Sequence, residues 1–187
     1  MFSLTQQHQT DFRPSHGNSL QACVASIFSL PLNDVPNFIT DDRGYTSAIQ
    51  AFAIANNKLG TFHKIALEPN GNLPFQCRPG IRVIIRGTSP RGSFGHVVVG
   101  KIQQNGLSLV LEHDPHPSGS FLDPKHPFVW CGLFIQPQDH VVLDRKVKHE
   151  ALLNELERKK NVEDAQTSSK ETKETKETKE TKETKET

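Results

Sequence analysis

The stretch from residue 95 to residue 114, GHVVVGKIQQNGLSLVLEHD, constrains the fold more than any other part of the chain. Its β-branched run, its Gln-Asn-Gly turn and the apolar run that returns predict an antiparallel β-hairpin. Such a hairpin sets the start of its first strand beside the end of its second, so His96 and Asp114 are expected to be neighbours. Further strands are expected at TFHKIAL (61–67), IRVIIRG (81–87) and PFVWCGLFI (127–135), the second β-branched enough to be central.

The half of the chain that precedes these strands is helical in period. From Ser19 to Ser29, Leu20, Val24, Ile27 and Phe28 fall on one helical face, Ala22 and Ala25 permit close approach, and Pro31 stops the helix. A second helix is expected from Tyr45 to Leu59, with Ile49, Phe52, Ala53 and Leu59 inward and Gly60 as its C-terminal cap. Helices first and antiparallel strands after predict an α+β fold, with the N-terminal helices packed on the sheet.

The C-terminal region differs in kind. From Lys170 to Thr187 the triplet Lys-Glu-Thr repeats six times with no apolar residue, so it has nothing to bury against the entropy of ordering. HEALLNELERKK (149–160) places Leu152, Leu153 and Leu156 at helical spacing. The expected organisation is a domain over residues 5–145, an amphipathic helix over 146–162 and a disordered repeat tail over 163–187.

Charge and composition exclude several classes. Lys and Arg number 22 and Asp and Glu 21, a balance that predicts no electrostatic partner in nucleic acid or in a membrane surface. The chain shows no basic, apolar leader and no run of about 18 apolar residues, so a soluble, cytoplasmic protein is expected. Three cysteines, with no Cys-x-x-Cys pair, outline neither a disulfide framework nor a zinc knuckle. His113, Asp114 and His116 lie close in sequence, but a stiff proline-bearing loop with no fourth ligand predicts no metal site, and no cofactor is expected.

The remaining polar residues suggest chemistry. An acyl-transfer site needs a nucleophile, an imidazole within hydrogen-bond reach, and a third group that orients that imidazole. Ser19 stands where the first helix begins, where free N–H groups and the helix dipole favour negative charge. His96 and Asp114 supply the other two parts. Ser19 is also a good helix N-cap, and serine caps far outnumber serine nucleophiles. Cys23, one turn and about 6 Å further along the helix, is an alternative nucleophile, though alanines and a valine around it suit a small buried hydrophobe.

HQTDFRPSHGNSLQACVASIFSLPLNDVPNF, SPRGSFGHVVVG and HDPHPSGSFL together resemble the papain-like superfamily. They are similar to the peptidases that remove double-glycine leaders from bacteriocins, and more so to a group of papain-like proteins common in phage and bacterial genomes. The resemblance covers residues 8–38 and 88–135. It implies a papain-like fold, with His96 as general base, Asp114 as its orienting partner and Gln9 near the oxyanion position. It also implies a peptide, isopeptide or related amide as substrate, so the expected partner is a peptide or protein. In that group a cysteine usually follows Gly-Asn, whereas this chain carries Ser19. Two other readings stay open: a catalytically inactive member that binds a peptide or protein, and a deamidase or transglutaminase that shares the acyl-enzyme step. The oligomeric state is not legible.

Deleting the repeat after Ser169 is expected to change domain stability by less than about 0.5 kcal/mol, measured by thermal or urea melts of full-length and truncated chains.

Overall fold

The computed structural model describes residues 4–13, 16–56 and 59–135. The chain divides into two compact units, Met1–Arg145 and Lys146–Thr187, and all described residues belong to the first. The expected helix at 146–162 and the repeat tail lie outside the described residues.

The fold is a mixed helix and antiparallel-sheet arrangement. Helix α1 (Ser19–Phe28) and helix α2 (Tyr45–Ala55) precede strands β1 (Thr61–Ala66), β2 (Arg82–Thr88), β3 (Gly95–Ile102), β4 (Leu109–His113) and β5 (Trp130–Ile135). Single 3₁₀ turns at Leu32–Asp34 and Phe38–Thr40 join the two helices. The strands form one sheet in the order β1-β5-β2-β3-β4, every pair antiparallel. Among the described residues no helix is long and apolar enough to cross a membrane.

Each face of the sheet has its own core. On one side Ile84, Val97, Val99 and Trp130 pack against Leu20, Cys23, Val24 and Ala25 of α1 and Ile49 and Ala53 of α2. On the other, Val83, Ile85, Val98 and Leu133 pack beneath Leu73, Phe75 and Leu122, which come from the long connections. Central β2 reads as a continuous apolar run, Val83-Ile84-Ile85, because both of its faces are covered.

Helix α1 is buried on more sides than its apolar stripe predicts. Ala22, Ala25 and Ser26 are buried with Leu20, Cys23 and Val24, whereas Ile27 and Phe28 are only partly so. The N-terminal segment covers the extra face. The Gln7 N–H donates to Ser26 Oγ at 2.9 Å, and that hydroxyl donates to the Ala22 carbonyl at 2.8 Å. Small side chains let the strap lie close. The helix ends at Ser29, which takes a left-handed conformation (φ 54°), while the Leu30 N–H returns to the Ala25 carbonyl.

Helix α2 stops four residues short of its expected end. Asn56 ends it by donating both its backbone N–H and its side-chain Nδ2 to the Phe52 carbonyl. Leu59 is still buried, but from the connection, and Gly60 (φ 77°) turns the chain into β1 rather than capping the helix. The Asn-Asn pair at 56–57 is the stop signal that the sequence offers.

The hairpin forms as predicted, with one irregularity that matters. Ile102, Lys101 and Gly100 pair with Leu109, Val110 and Leu111, but Val99 pairs with His113. One extra residue sits in β4, a β-bulge. Gly100 stands at this shift, where a Cβ would overlap Ile85 Cδ1 and lie 2.9 Å from the Val110 carbonyl oxygen. Replacing Gly100 by alanine is therefore expected to destabilise the domain by about 1–3 kcal/mol in urea melts, more than the same change at exposed Gly119 does by crowding alone.

Candidate active site

The bulge decides where Asp114 points. Side chains alternate across a strand, so a one-residue shift exchanges the faces. In the regular register of the turn-proximal pairs, Asp114 would fall opposite Val97, on the α1 face. With the extra residue, His113 takes the α1 side, where its Nε2 lies 2.9 Å from the Gln7 carbonyl oxygen. Asp114 then projects to the face it shares with His96. The His96 Nε2–H donates to Asp114 Oδ1 at 2.7 Å, with both residues buried. Their proximity follows from the hairpin; the side-chain parity that completes it comes from the bulge.

Asp114 is held from several directions. Its Oδ1 also accepts from the His116 N–H at 2.9 Å, and its Oδ2 from the Phe121 N–H at 2.8 Å. Arg91 Nη1 approaches Oδ2 at 3.5 Å and donates to Ser118 Oγ at 2.9 Å. Burial pushes the Asp114 carboxyl up, but the His96 hydrogen bond, the two backbone N–H donors and the charge of His96 together hold it below the usual value of 3.8. An ionised Asp114 fixes the proton of His96 on Nε2 and leaves Nδ1 as the basic nitrogen. Arg91 and Phe121 carry no recognisable sequence signal, and Phe121 takes a left-handed backbone (φ 55°) to deliver its N–H.

Ser19 and His96 line one cavity of about 370 Å³, together with Gln9, Phe12, Phe94 and Trp130. Ser19 is not the helix cap. Asn18 occupies that position, yet its side chain makes no capping hydrogen bond. Instead Asn18 Oδ1 accepts the N–H groups of Thr10 and Asp11, each at 2.9 Å, while its Nδ2 donates to Thr10 Oγ1 and Gln21 Oε1. The first turn of α1 is thus left without a side-chain cap next to the cavity, which suits a developing negative charge.

The same contacts place Gln9. The Asn18 N–H donates to the Asp11 carbonyl and the Gly17 N–H to the Arg13 carbonyl, holding Asp11 and Arg13 against the residues that lead into α1. A Cβ at position 17 would crowd this contact, lying 3.0 Å from the Arg13 carbonyl oxygen and 3.1 Å from that of Asp11. Ten residues of separation therefore still bring Gln9 to the cavity. Its backbone N–H donates to the Pro115 carbonyl and Nε2 to the Asp11 carbonyl, and among the described residues no second hydrogen bond from Nε2 is present. Gln9 Oε1 and Arg91 Nη2 are buried with no partner among the described residues.

The alternative nucleophile is not supported. Cys23 is 0% exposed, and burial, reinforced by the charge of Asp114, pushes its thiol well above 9.0. A thiol so placed stays protonated and unreactive. Cys77 and Cys131 are also buried. His116 Nδ1 accepts the Ser118 N–H at 3.1 Å and lies 2.9 Å from Ser118 Oγ, and its ring stands edge-on to that of His96 at 6.5 Å. Among the described residues no group of three or more His, Cys, Asp or Glu side chains is arranged to hold a metal ion.

No family model, curated protein or solved structure matches the chain.

Because the folded-state pKa of Asp114 is depressed, its ionised form adds stability that is present above the ordinary carboxylate pKa and is lost as pH falls through the folded value. Asp114→Asn is expected to cost about 2–4 kcal/mol at pH 7, measured by urea denaturation, and the gap to the parent should narrow as pH falls below 3.8.

Proposed function

We propose that this chain is a papain-like hydrolase that cleaves a peptide, isopeptide or related amide bond by acyl transfer through Ser19. The buried 2.7 Å hydrogen bond between His96 and Asp114, on a cavity that Ser19 shares, carries this reading. A helix that begins at the nucleophile, followed by a histidine and an acid from neighbouring antiparallel strands, agrees with the papain-like resemblance of residues 8–38 and 88–135.

In this mechanism His96 Nδ1 takes the Ser19 Oγ proton as the oxygen attacks the scissile carbonyl carbon. The carbonyl π electrons move onto oxygen, and the N–H groups at the start of α1 and the second Nε2–H of Gln9 stabilise that charge. Collapse of the intermediate expels the amine, which takes the proton from the imidazolium. Water, activated by the same imidazole, then releases the acyl group. An amine acceptor in place of water would make the same site a transferase.

One observation favours a second reading, a binding module that retains the cleft without turnover. Among the described residues no hydrogen bond joins Ser19 to His96, and a hydroxyl, unlike a thiol, needs that base at the moment of attack. In the acyl-transfer reading this contact forms as substrate binds.

Labelling separates the two. A serine hydrolase is expected to take up a fluorophosphonate at Ser19 and to lose that adduct with His96→Ala, whereas a binding module stays unlabelled. In either case Ser19→Cys is expected to react with iodoacetamide at least about tenfold faster than Cys23 does in the parent, with His96→Ala removing most of the gain. A Ser19→Cys thiol no more reactive than a free thiol in solution would overturn the acyl-transfer reading.

A further inference from the structure

Two arginines line the cavity, and they differ in what holds them. Arg13 is bound by Asp11, its Nε donating to both carboxylate oxygens at 3.0 and 3.1 Å and its Nη2 to Oδ2. Its charge is already matched. Arg86 lines the same cavity, half-buried, and no ion pair or side-chain hydrogen bond joins it to any other described residue. Among the described residues that line the cavity there is no Asp or Glu. Among the described residues Asp114 is paired with His96 and Arg91, Glu112 with Arg82 and Lys101, and Asp41 with Arg43.

The backbone makes room for this cation. Arg86 on β2 lies in register between Trp130 of β5 and Val97 of β3, so these three side chains share the α1 face. Its guanidinium reaches over Gly95, where a Cβ would overlap Nη2 and come within 2.5 Å of Cζ. Gly95 is the residue before His96. A half-buried guanidinium without a counter-charge is costly unless something else supplies one. Resting on the acyl-transfer reading, we propose that Arg86 is the specificity residue of this site, binding a carboxylate of the substrate close to the bond that reacts.

The charge balance selects the class. With Arg13 neutralised by Asp11, the described residues that line the cavity offer one unmatched permanent positive charge, which suits a single carboxylate and its two-point fit to a guanidinium. Phe12 and Phe94, exposed at the rim, and Trp130 inside supply apolar walls for the rest of the molecule. The substrate is therefore an amide or peptide with a carboxylate near its scissile bond, either a chain terminus or an acidic side chain.

Ser19→Cys in the full chain provides a test that does not depend on turnover. Iodoacetate and iodoacetamide deliver nearly the same alkyl group and differ in charge. Their rate ratio at the introduced thiol, identified by peptide mass spectrometry and divided by the ratio for glutathione, reads the anion preference of the cavity. The normalised ratio is expected to exceed about 10, to fall by about tenfold with Arg86→Gln, and to stay largely intact with Arg86→Lys. Gly95→Ala keeps the charge but displaces the guanidinium, and is expected to lower the ratio partly. Circular dichroism melts confirm that each variant is folded. A ratio that Arg86→Gln leaves unchanged overturns the proposal. Failure of the acyl-transfer reading looks different: both reagents react slowly and His96→Ala changes neither rate.

Protection from iodoacetamide then identifies the source of the carboxylate. N-acetyl-trialanine protecting better than its amide assigns it to a chain end, and N-acetyl-Ala-Glu-Ala-amide protecting better than the trialanine amide assigns it to a side chain. In both cases the advantage is expected to vanish with Arg86→Gln. Equal protection by neutral and anionic peptides overturns the proposal.

Discussion

The Asp114 carboxylate ties together parts of the chain that are otherwise separate. It accepts from the His96 ring on β3, from the N–H groups of His116 and Phe121 in the connection after β4, and from Arg91 in the loop before β3. A buried carboxylate with fewer donors would take up a proton and release the imidazole. With these donors it remains an anion, and the loops that provide them inherit a fixed position. Phe121 accepts an unfavourable backbone conformation as part of this arrangement, which places strain beside the site rather than in the sheet.

The α1 end is organised by a second polar side chain used in an unexpected way. Asn18 stands at the cap position but commits its hydrogen bonds to the N-terminal segment and to Gln21. The helix start is left open toward the cavity, and the segment that carries Gln9 is pinned over it. Each end of the site thus gives up a local preference for a long-range contact, as is common where geometry serves something other than stability.

Elements with strong periodicity were legible in the sequence. The two helices, the hairpin and the strands at 61–66, 82–88 and 130–135 follow from spacing and β-branched content, and from them the neighbourhood of His96 and Asp114. Three features were not legible, each for a physical reason. The bulge in β4 falls at Glu112, between Leu111 and His113, and the unbroken apolar run Leu109-Val110-Leu111 before it shows no alternation from which the register can be read. Burial of Ala22 and Ser26 depends on a strap that folds back over the helix, a tertiary effect. The unmatched charge of Arg86 depends on which acids lie near it, and no count of charged residues reveals that.

The β4 bulge has a consequence beyond the site. β4 is an outer strand of the sheet, and a straight outer strand offers its free N–H and C=O groups as a template for another chain. Val110 is exposed on this strand, so a regular edge here would invite pairing between molecules. The extra residue breaks the even spacing of those groups, and Glu112, paired with Arg82, adds charge at the break. The irregularity that turns Asp114 toward His96 also makes this margin a poor surface for aggregation.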